Sequence, residues 1–519
     1  MPTWRQAPPD LRETELGDCL VLADGPRGEE LVAGLRARGA TVRVAGAGER
    51  EALLADGTPT RIVHALALDG PPADGGITAT WDAQERGFLD LLDLVQVLAA
   101  AGVADGIHLD VVSSGASDAQ GALLRPEHAT LAGIARVVPL ELPGLTVRHI
   151  DADPEAGAAQ TADLVAELLR PADEAEVALR AGRRWVTDYA QVPLTKESSE
   201  PGAVRREGRY LITGGIGGIG ITLAEDFARR SRARLALLSR SGLPPREEWD
   251  THLAVHGGAD RTGRAILAIR RMEQAGAQVL VLAADVTDPV ELGAARERIE
   301  AEFGGLDGIV HAAGLPGGGM AEVKDRAAAT AVLAPKVAGT LALAQVFGDL
   351  PLDWVALCSS VTSVVGGFGQ VDYCAANAFL DAYARSAHGW RAPVVSQNWG
   401  GWTEVGMAVE VSAPDGFRAA RGGMAQAMDH PVLSTRVNGQ DGGAECHGLV
   451  SASTHWLLDE HRIGQVAVVP GTGHLESVRA AVAASLPAPD AATSWNCGTW
   501  RSWNRSPSPT GAPRSTGWR

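Results

Sequence analysis

Tyr373 follows Ser360 by 13 residues and Lys336 by 37, and Asn377 lies four residues beyond it. A ketone that receives hydride at carbon needs a proton at oxygen, and a tyrosine can supply it. With a free pKa near ~10, it does so only if a nearby cation eases its ionisation. If the stretch SSVTSVVGGFGQVDYCAANAFLDAYA is helical around Tyr373, the four-residue spacing puts Tyr373 and Asn377 on one face. A second constellation, Thr213-Gly214-Gly215-Ile216-Gly217-Gly218-Ile219-Gly220, follows the run RYLI and opens the helical pattern ITLAEDFARR. Glycine at such a turn permits positive φ and leaves no Cβ between backbone and a pyrophosphate. The helix start then offers unpaired N–H groups to the phosphates. The next aliphatic run ends Ser239-Arg240 with no acid, which favours NADPH over NADH, because an arginine accepts a 2′-phosphate where an acid would bind a 2′-hydroxyl. Asp285 and Val286, after AQVLVLAADV, stand where an adenine is touched; Asp285 is also placed to cap the helix behind Thr-Asp-Pro.

A scaffold that gathers strand ends must hold these residues. Short aliphatic runs recur at 233–240, 277–286, 307–314, 353–360 and 392–400, separated by helical patterns. That alternation predicts a doubly wound parallel sheet. Residues 1–190 repeat the plan. CLVLADGPRG stands for the glycine-rich strand, ATVRVAG for the second, RIVHALALDG parallels GIVHAAGLPGG, and IHLDVVSSGAS parallels DWVALCSSVTS. The first copy has lost its chemistry: ADGPRG lacks close-approach glycines, and no tyrosine or asparagine follows SSGAS at the matching distance. The predicted fold is therefore α/β, with two tandem Rossmann-like sheets, a structural copy at 1–190 and a catalytic copy at 191–408. The insert 241–277 has no evident role. Residues 409–429 read as a linker, 430–485 as a partial further unit and 486–519 as an irregular tail. The tail holds four of the 13 tryptophans, at 495, 500, 503 and 518. Aromatics are foreign to designed disorder, so a frameshift or abrupt gene end is the expectation there.

Net charge is −17 with 45% hydrophobic and 21% charged residues, which opposes nucleic-acid binding and allows sizeable cores. Arginines gather between 205 and 234, either as an anion-facing patch or as a solvated helix face. Five cysteines without a CxxC pair suggest a reducing cytoplasm, and no charge-free apolar run reaches ~18 residues, so no membrane span is expected.

TGGxGxxG, HAAG, the Pro-Lys ahead of a helix, the paired serines, YxxxN and NWGGW together resemble the ketoreductase domains of modular polyketide synthases, in the short-chain dehydrogenase/reductase superfamily. Most stand-alone members of that superfamily carry Tyr-x-x-x-Lys; here Asn377 takes the last position and the lysine stands at 336. The degenerate first half, including 126–151, resembles their structural subdomain. The resemblance implies Tyr373 as proton donor and Ser360 as partner of the substrate carbonyl, with Ser359 its neighbouring alternative. It implies Lys336 as the residue that lowers the tyrosine pKa, and Asn377 as support for the lysine and a relay water. Ala312, Ala313 and Gly314 of HAAG would line the cofactor. The implied partners are an acyl carrier protein bearing a phosphopantetheine-tethered β-ketoacyl substrate, and other synthase domains. Neither Leu-Asp-Asp after HAAG nor tryptophan eight residues before the tyrosine is present; Leu315-Pro316-Gly317-Gly318 and Val365 stand there, so no alcohol configuration is implied.

HPVLSTRV and residues 454–476 resemble the opening of a synthase dehydratase, part of an α+β hotdog fold. His461 matches its base and Pro470 follows nine residues later, while Gln465 replaces the usual glycine. The partner acid belongs to a second hotdog, so no dehydration is expected. A stand-alone reductase of a small ketone and a silent remnant of a broken synthase gene remain as alternatives.

Overall fold

Segments apolar on both faces must pair side by side and be covered by helices. In the computed structural model they do so twice within residues 1–411, and residues 412–519 form a second compact unit. The described residues are 2–8, 17–48, 57–69, 76–102, 106–155, 157–191, 203–258, 260–386 and 389–402 of the first unit. In the second they are 426–428, 430–433, 435–438, 444–450, 461–463, 466–467, 469–485 and 514–518.

The first sheet contains β1 (Pro2–Gln6), β2 (Asp18–Leu22), β3 (Thr41–Ala45), β4 (Arg61–Ala67), β5 (His108–Ser114), β6 (Thr146–Ala152), β7 (Glu176–Arg180) and β8 (Arg183–Tyr189). Their order is β1-β8-β7-β6-β5-β4-β2-β3, parallel from β3 to β7, with β8 and β1 antiparallel. Helices α1 (Gly25–Ala37), α2 (Gly76–Arg86), α3 (Phe88–Ala100), α4 (Ala132–Glu141) and α5 (Ala158–Leu168) connect them.

The second sheet contains β9 (Arg209–Thr213), β10 (Arg234–Ser239), β11 (Gln278–Ala283), β12 (Gly308–His311), β13 (Trp354–Ser360) and β14 (Val394–Trp399), ordered β11-β10-β9-β12-β13-β14 and parallel throughout. Its helices are α6 (Gly218–Ser231), α7 (Trp249–His256), α8 (Arg261–Gln274), α9 (Pro289–Phe303), α10 (Arg326–Lys336), α11 (Ala338–Phe347), α12 (Thr362–Val365) and α13 (Val371–Arg385). The run β3-β2-β4-β5-β6 repeats β10-β9-β12-β13-β14, and β11 has no counterpart among the described residues of the first sheet. The strand order reverses beside β2 in the first sheet and beside β9 in the second, and the crevice at such a switch point is where ligands bind.

The first crevice is closed by its own side chains. Asp69 Oδ2 accepts from the N–H groups of Arg27 (2.8 Å) and Gly28 (3.1 Å) at the start of α1. A carboxylate thus occupies the anion seat of that helix. Gly25, with φ +72°, admits it: a Cβ there would stand 2.8 Å from the same oxygen. Arg27 then donates to Ser114 Oγ (2.9 Å) and the Asp153 carbonyl (2.8 Å), crossing the remaining space.

One apolar core runs through both sheets, joining Leu92, Leu131 and Ile134 to Val371, Ala375 and Phe379. Helix α4 lies so close to α13 that a Cβ on Gly133 would stand 2.8 Å from that of Ala375. Arg326 adds an ion pair to Asp93 at 2.5 Å. Helices α10 and α11 together run Arg326–Phe347, 22 residues that contain an 18-residue window of mean hydropathy 1.5, long and apolar enough to cross a membrane. More than half of that window is packed in the core, as a central helix of a globular unit would be. The arginine-rich stretch is largely neutralised: Arg209 pairs with Asp307 at 2.8 Å, Arg230 with Asp226 at 2.9 Å, and Arg205 with Asp353.

In the second unit, β15 (Gln426–Ala427), β16 (Thr435–Asn438), β17 (Ala444–Val450) and β20 (Arg514–Trp518) form an antiparallel sheet. Strands β18 (Arg462–Ile463) and β19 (Val466–Ala467) pair with each other, and α14 spans Gly471–Ser485. Two of these strands differ from the sequence expectation. Gln426–Ala427 fall in the predicted linker and Arg514–Trp518 in the predicted irregular tail. Runs of two and five residues show no usable alternation, and each is ordered by a strand edge it extends, β16 and β17 respectively. Trp495, Trp500 and Trp503 lie outside the described residues.

Candidate functional site

Strand β9 delivers Thr213, fully buried, to the carboxyl edge of the second sheet. Its hydroxyl lies 2.7 Å from His311 Nδ1, and His311 Nε2 lies 3.0 Å from the Pro335 carbonyl. The carbonyl can only accept, so Nε2 carries the proton and Nδ1 accepts from Thr213. Burial, aided by the charge of Lys336, pushes the His311 pKa down to about 3 and keeps the ring neutral. Gly214 turns the chain with φ +66°, and a Cβ there would stand 2.7 Å from the Ala312 carbonyl oxygen. Gly215 lies equally close over Leu237 of β10, at 3.0 Å from the position of its Cβ. Gly217 is the N-cap of α6 and no side chain caps the helix. Gly218 is exposed, Ile219 packs partly into the core below, and Gly220 rests on the backbone of Gly214. This cradle fits a dinucleotide pyrophosphate: bare backbone, a tight turn and unclaimed helix N–H groups.

The flanking strands supply the rim. Ser239 is buried at the end of β10 and accepts from Gly242 N–H at 3.2 Å, whereas Arg240 is exposed. Asp285 is not the helix cap that its position suggested. Its Oδ1 accepts from Thr287 N (2.9 Å) and Oγ1 (2.8 Å), and Asp288 caps α9 by accepting from Val290 N at 2.7 Å. The side chain of Val286 is buried against α11, 2.9 Å from where a Cβ of Gly339 would stand. Ala312, Ala313 and Gly314 follow β12, half-buried, and a Cβ on Gly314 would stand 3.2 Å from Lys336 Cε.

Beyond the rim stand the four reactive candidates. Helix α13 carries Tyr373 and Asn377 one turn apart, and Asn377 Nδ2 donates to the Tyr373 carbonyl at 2.7 Å. The Ser360 and Asn377 side chains face the Tyr373 hydroxyl closely enough to pull its pKa down. The two serines of β13 diverge, as neighbours in a strand do. Ser359 donates into α13, to the Asn377 carbonyl at 3.2 Å, while Ser360 lies beside Tyr373 and accepts from Thr362 N at 3.2 Å. Burial raises the Tyr373 pKa, and Ser360 and Asn377 partly oppose it. Lys336 is buried at the end of α10 and donates to the Cys358 carbonyl at 2.8 Å. Burial lowers its pKa to about 8, against the opposing pull of Cys358 and Asp381. Asn377 Oδ1 is buried with no hydrogen-bond partner among the described residues. His461, in the second unit, is exposed directly before β18.

Residues 208–404 match the family model described as KR domain, and 430–497 match that of the polyketide synthase dehydratase domain. The chain carries a KR domain of the polyketide synthase type. Polyketide synthase PksL of Bacillus subtilis is 33% identical over 332 residues, covering 61% of this chain and 7% of its own length. An erythronolide synthase of Saccharopolyspora erythraea is 32% identical over 421 residues, covering 78% of this chain and 12% of that protein. The chain therefore spans a small fraction of these relatives. Among solved structures, an A-type ketoreductase from a modular polyketide synthase superposes with TM-score 0.65 at 25% identity, over 82% of this chain and 87% of that one. The first ketoreductase of the tylosin synthase gives 0.63 at 25% identity, over 82% and 86%.

The KR domain also rests on residues that its motifs do not announce. Asp381, on α13, accepts from Ser396 Oγ (2.6 Å), Ser363 Oγ (2.6 Å) and Asn398 Nδ2 (2.6 Å). Asn398 in turn donates to the Ser360 carbonyl at 3.2 Å, and the single hydroxyl proton of Ser363 is shared between Asp381 and that same carbonyl, 2.7 Å away, which fixes the turn that presents Ser360. Asn398 belongs to NWGGW, and that motif was the one available signal. Glu141, from the first half, accepts from Ala321 N (2.6 Å) and Gly369 N (2.7 Å), the two loops that flank Tyr373. Lys324 pairs with Asp372 at 2.8 Å and ties the same loop to the start of α13. Such long-range bonds to backbone leave no local pattern.

Proposed function

We propose that the KR domain reduces a β-ketoacyl thioester, carried on the phosphopantetheine of an acyl carrier protein among other synthase domains in the cytoplasm, to the β-hydroxyacyl thioester. The observation that carries this reading is a half-buried tyrosine, its hydroxyl held in the field of Ser360 and Asn377, over the same sheet as an uncapped glycine turn that leaves backbone bare for a dinucleotide. Thr213, the glycines from Gly214 to Gly220, Ser239, Arg240 and the backbone at Ala312–Gly314 would hold NADPH, which supplies hydride when bound. Ser360 donates a hydrogen bond to the substrate carbonyl and orients it. Tyr373 then passes its proton to the same oxygen as negative charge develops there. The Lys336 ammonium favours the tyrosinate left behind, and Asn377 offers its free carbonyl to hold that lysine or a water that returns the proton. Carbon gains hydride, oxygen gains a proton, and the thioester is untouched. His461 stands exposed, and its partner acid would come from a second hotdog, so dehydration is not part of the proposal.

The test is consumption of NADPH by the full chain with an N-acetylcysteamine β-ketoacyl thioester. Stoichiometric β-hydroxy product is expected, and none without thioester; a folded chain that binds NADPH but yields no alcohol is a silent scaffold. Because the ammonium form of Lys336 is the active one, the rate should be level below its pKa of about 8 and fall as pH rises through it. A profile level to pH ~10 would remove the lysine from the mechanism.

Arg240→Ala should weaken NADPH by about ten- to hundredfold, and NADH by less than about twofold, since only NADPH offers a second phosphate to the guanidinium. Titration by nicotinamide fluorescence measures both; equal losses would make the arginine structural.

A further inference from the structure

The insert 241–277 is the crossover from β10 to β11, and its second helix, α8, packs on α6. Asp260 caps α8: its Oδ1 accepts from Gly263 N at 2.6 Å and its Oδ2 lies 3.0 Å from His252 Nε2. That cap fixes the residue after it, Arg261. A Cβ on Gly217 would stand 3.9 Å from Arg261 Nη2, so the guanidinium rests against the N-cap of α6. Other arginines of this crossover have carboxylate partners: Arg246 with Glu273, Arg270 with Asp250 (2.6 Å) and Arg271 with Glu225 (2.7 Å). Arg261 has none among the described residues. Its position is also unfavourable for a cation. Asp260 already occupies the start of its own helix, but Arg261 faces the first turn of α6, a positive helix end that no side chain caps. An uncapped helix start and an exposed guanidinium without a carboxylate partner converge on one point that suits an anion.

We propose that Arg261 is a second cation for the 2′-phosphate of the dinucleotide, acting with Arg240; this rests on the NADPH reading above. The pyrophosphate is already served by the N–H groups of α6. Arg261 approaches from the connection that leaves β10 just after Arg240, the residue already proposed for the 2′-phosphate. The insert thereby gains a function: α7 and the Asp260 cap hold a guanidinium over a site that β10 alone reaches from one side.

The test measures affinities of the full chain for NADPH, NADH and adenosine 2′,5′-bisphosphate, without substrate. Arg261→Ala should weaken NADPH and the bisphosphate by about ten- to hundredfold and NADH by less than about twofold. Arg261→Lys should recover part of the loss, and Arg270→Ala, which removes a charge from the same helix, should change none of the three. Equal losses for NADPH and NADH would assign Arg261 to the pyrophosphate or to folding and overturn the proposal, as would no loss at all. If Arg240→Ala alone removes the preference for NADPH, the proposal falls while the NADPH reading stands. If the parent chain shows no preference for NADPH, both fall together.

Discussion

Replacing Tyr373 with phenylalanine is expected to lower thioester reduction by about 10²–10⁴-fold, the span that a positioned general acid contributes, while NADPH affinity stays within about twofold. The asymmetry follows from where the hydroxyl points. It faces Ser360 and Asn377, whereas the candidate phosphate cradle is built from backbone between Thr213 and Gly220, at the turn from β9 into α6. The ring itself is half-buried, and phenylalanine keeps it. Loss of the hydroxyl removes polar contacts worth about 1 kcal/mol each, too little to unfold a helix whose inner face is packed through Cys374, Ala375, Phe379 and Leu380. The decisive measurement is single-turnover reduction beside an NADPH titration on the same preparation. A variant that keeps more than about a tenth of the parent rate would show that the proton comes from elsewhere.

Cutting the chain at 191 should be far more damaging than cutting it at 425. Residues 191–408 alone would expose the surface that α4 covers: Val371, Ala375 and Phe379 on α13, all buried. They would also lose Glu141 from the loops at Ala321 and Gly369, and Gln96, which donates to the carbonyl of Lys324 at 2.7 Å. An apolar face of that kind invites aggregation. The remaining loops beside Tyr373 would have lost their anchors as well. Residues 1–425 keep both sheets and every one of these bonds. Expressed side by side, 1–425 should equal or exceed the full chain in recovered, NADPH-consuming protein, and 191–408 should fall well below both. If 191–408 proves fully active by itself, the first half is not a support for the second.

Much of this arrangement was legible in the sequence because its chemistry is carried by short segments with stiff geometry. A strand followed by a glycine turn and a helix has few ways to fold, and Tyr373 and Asn377 share a face through helical pitch alone. Ser360 and Ser359 could not be separated by residue type; strand alternation separates them, and only the strand's register shows which way each faces. The supports were hidden for a different reason. Glu141 meets Ala321 and Gly369 across 180 and 228 residues of chain. Its targets are backbone N–H groups, which every residue has, so nothing in the local sequence marks the pairing. Arg261 was hidden because an exposed arginine at a helix start looks like any solvated charge until its neighbour proves to be a glycine loop. Asp285 misled through its setting: Asp-Val-Thr-Asp-Pro offers two acids, and the one adjacent to proline takes the cap.

The carboxylate of Asp69 on the start of α1 is a ligand that cannot diffuse away. Tethered to its own sheet, it has an effective concentration that a free nucleotide would struggle to match, and each time it lets go it stays within reach of the same N–H groups. The crevice of the first sheet is therefore filled from within, while that of the second, under the proposed function, fills and empties with each turnover. On that reading two copies of one fold divide a labour: one keeps its shape, and the other, leaning on it, is free to let its cofactor go.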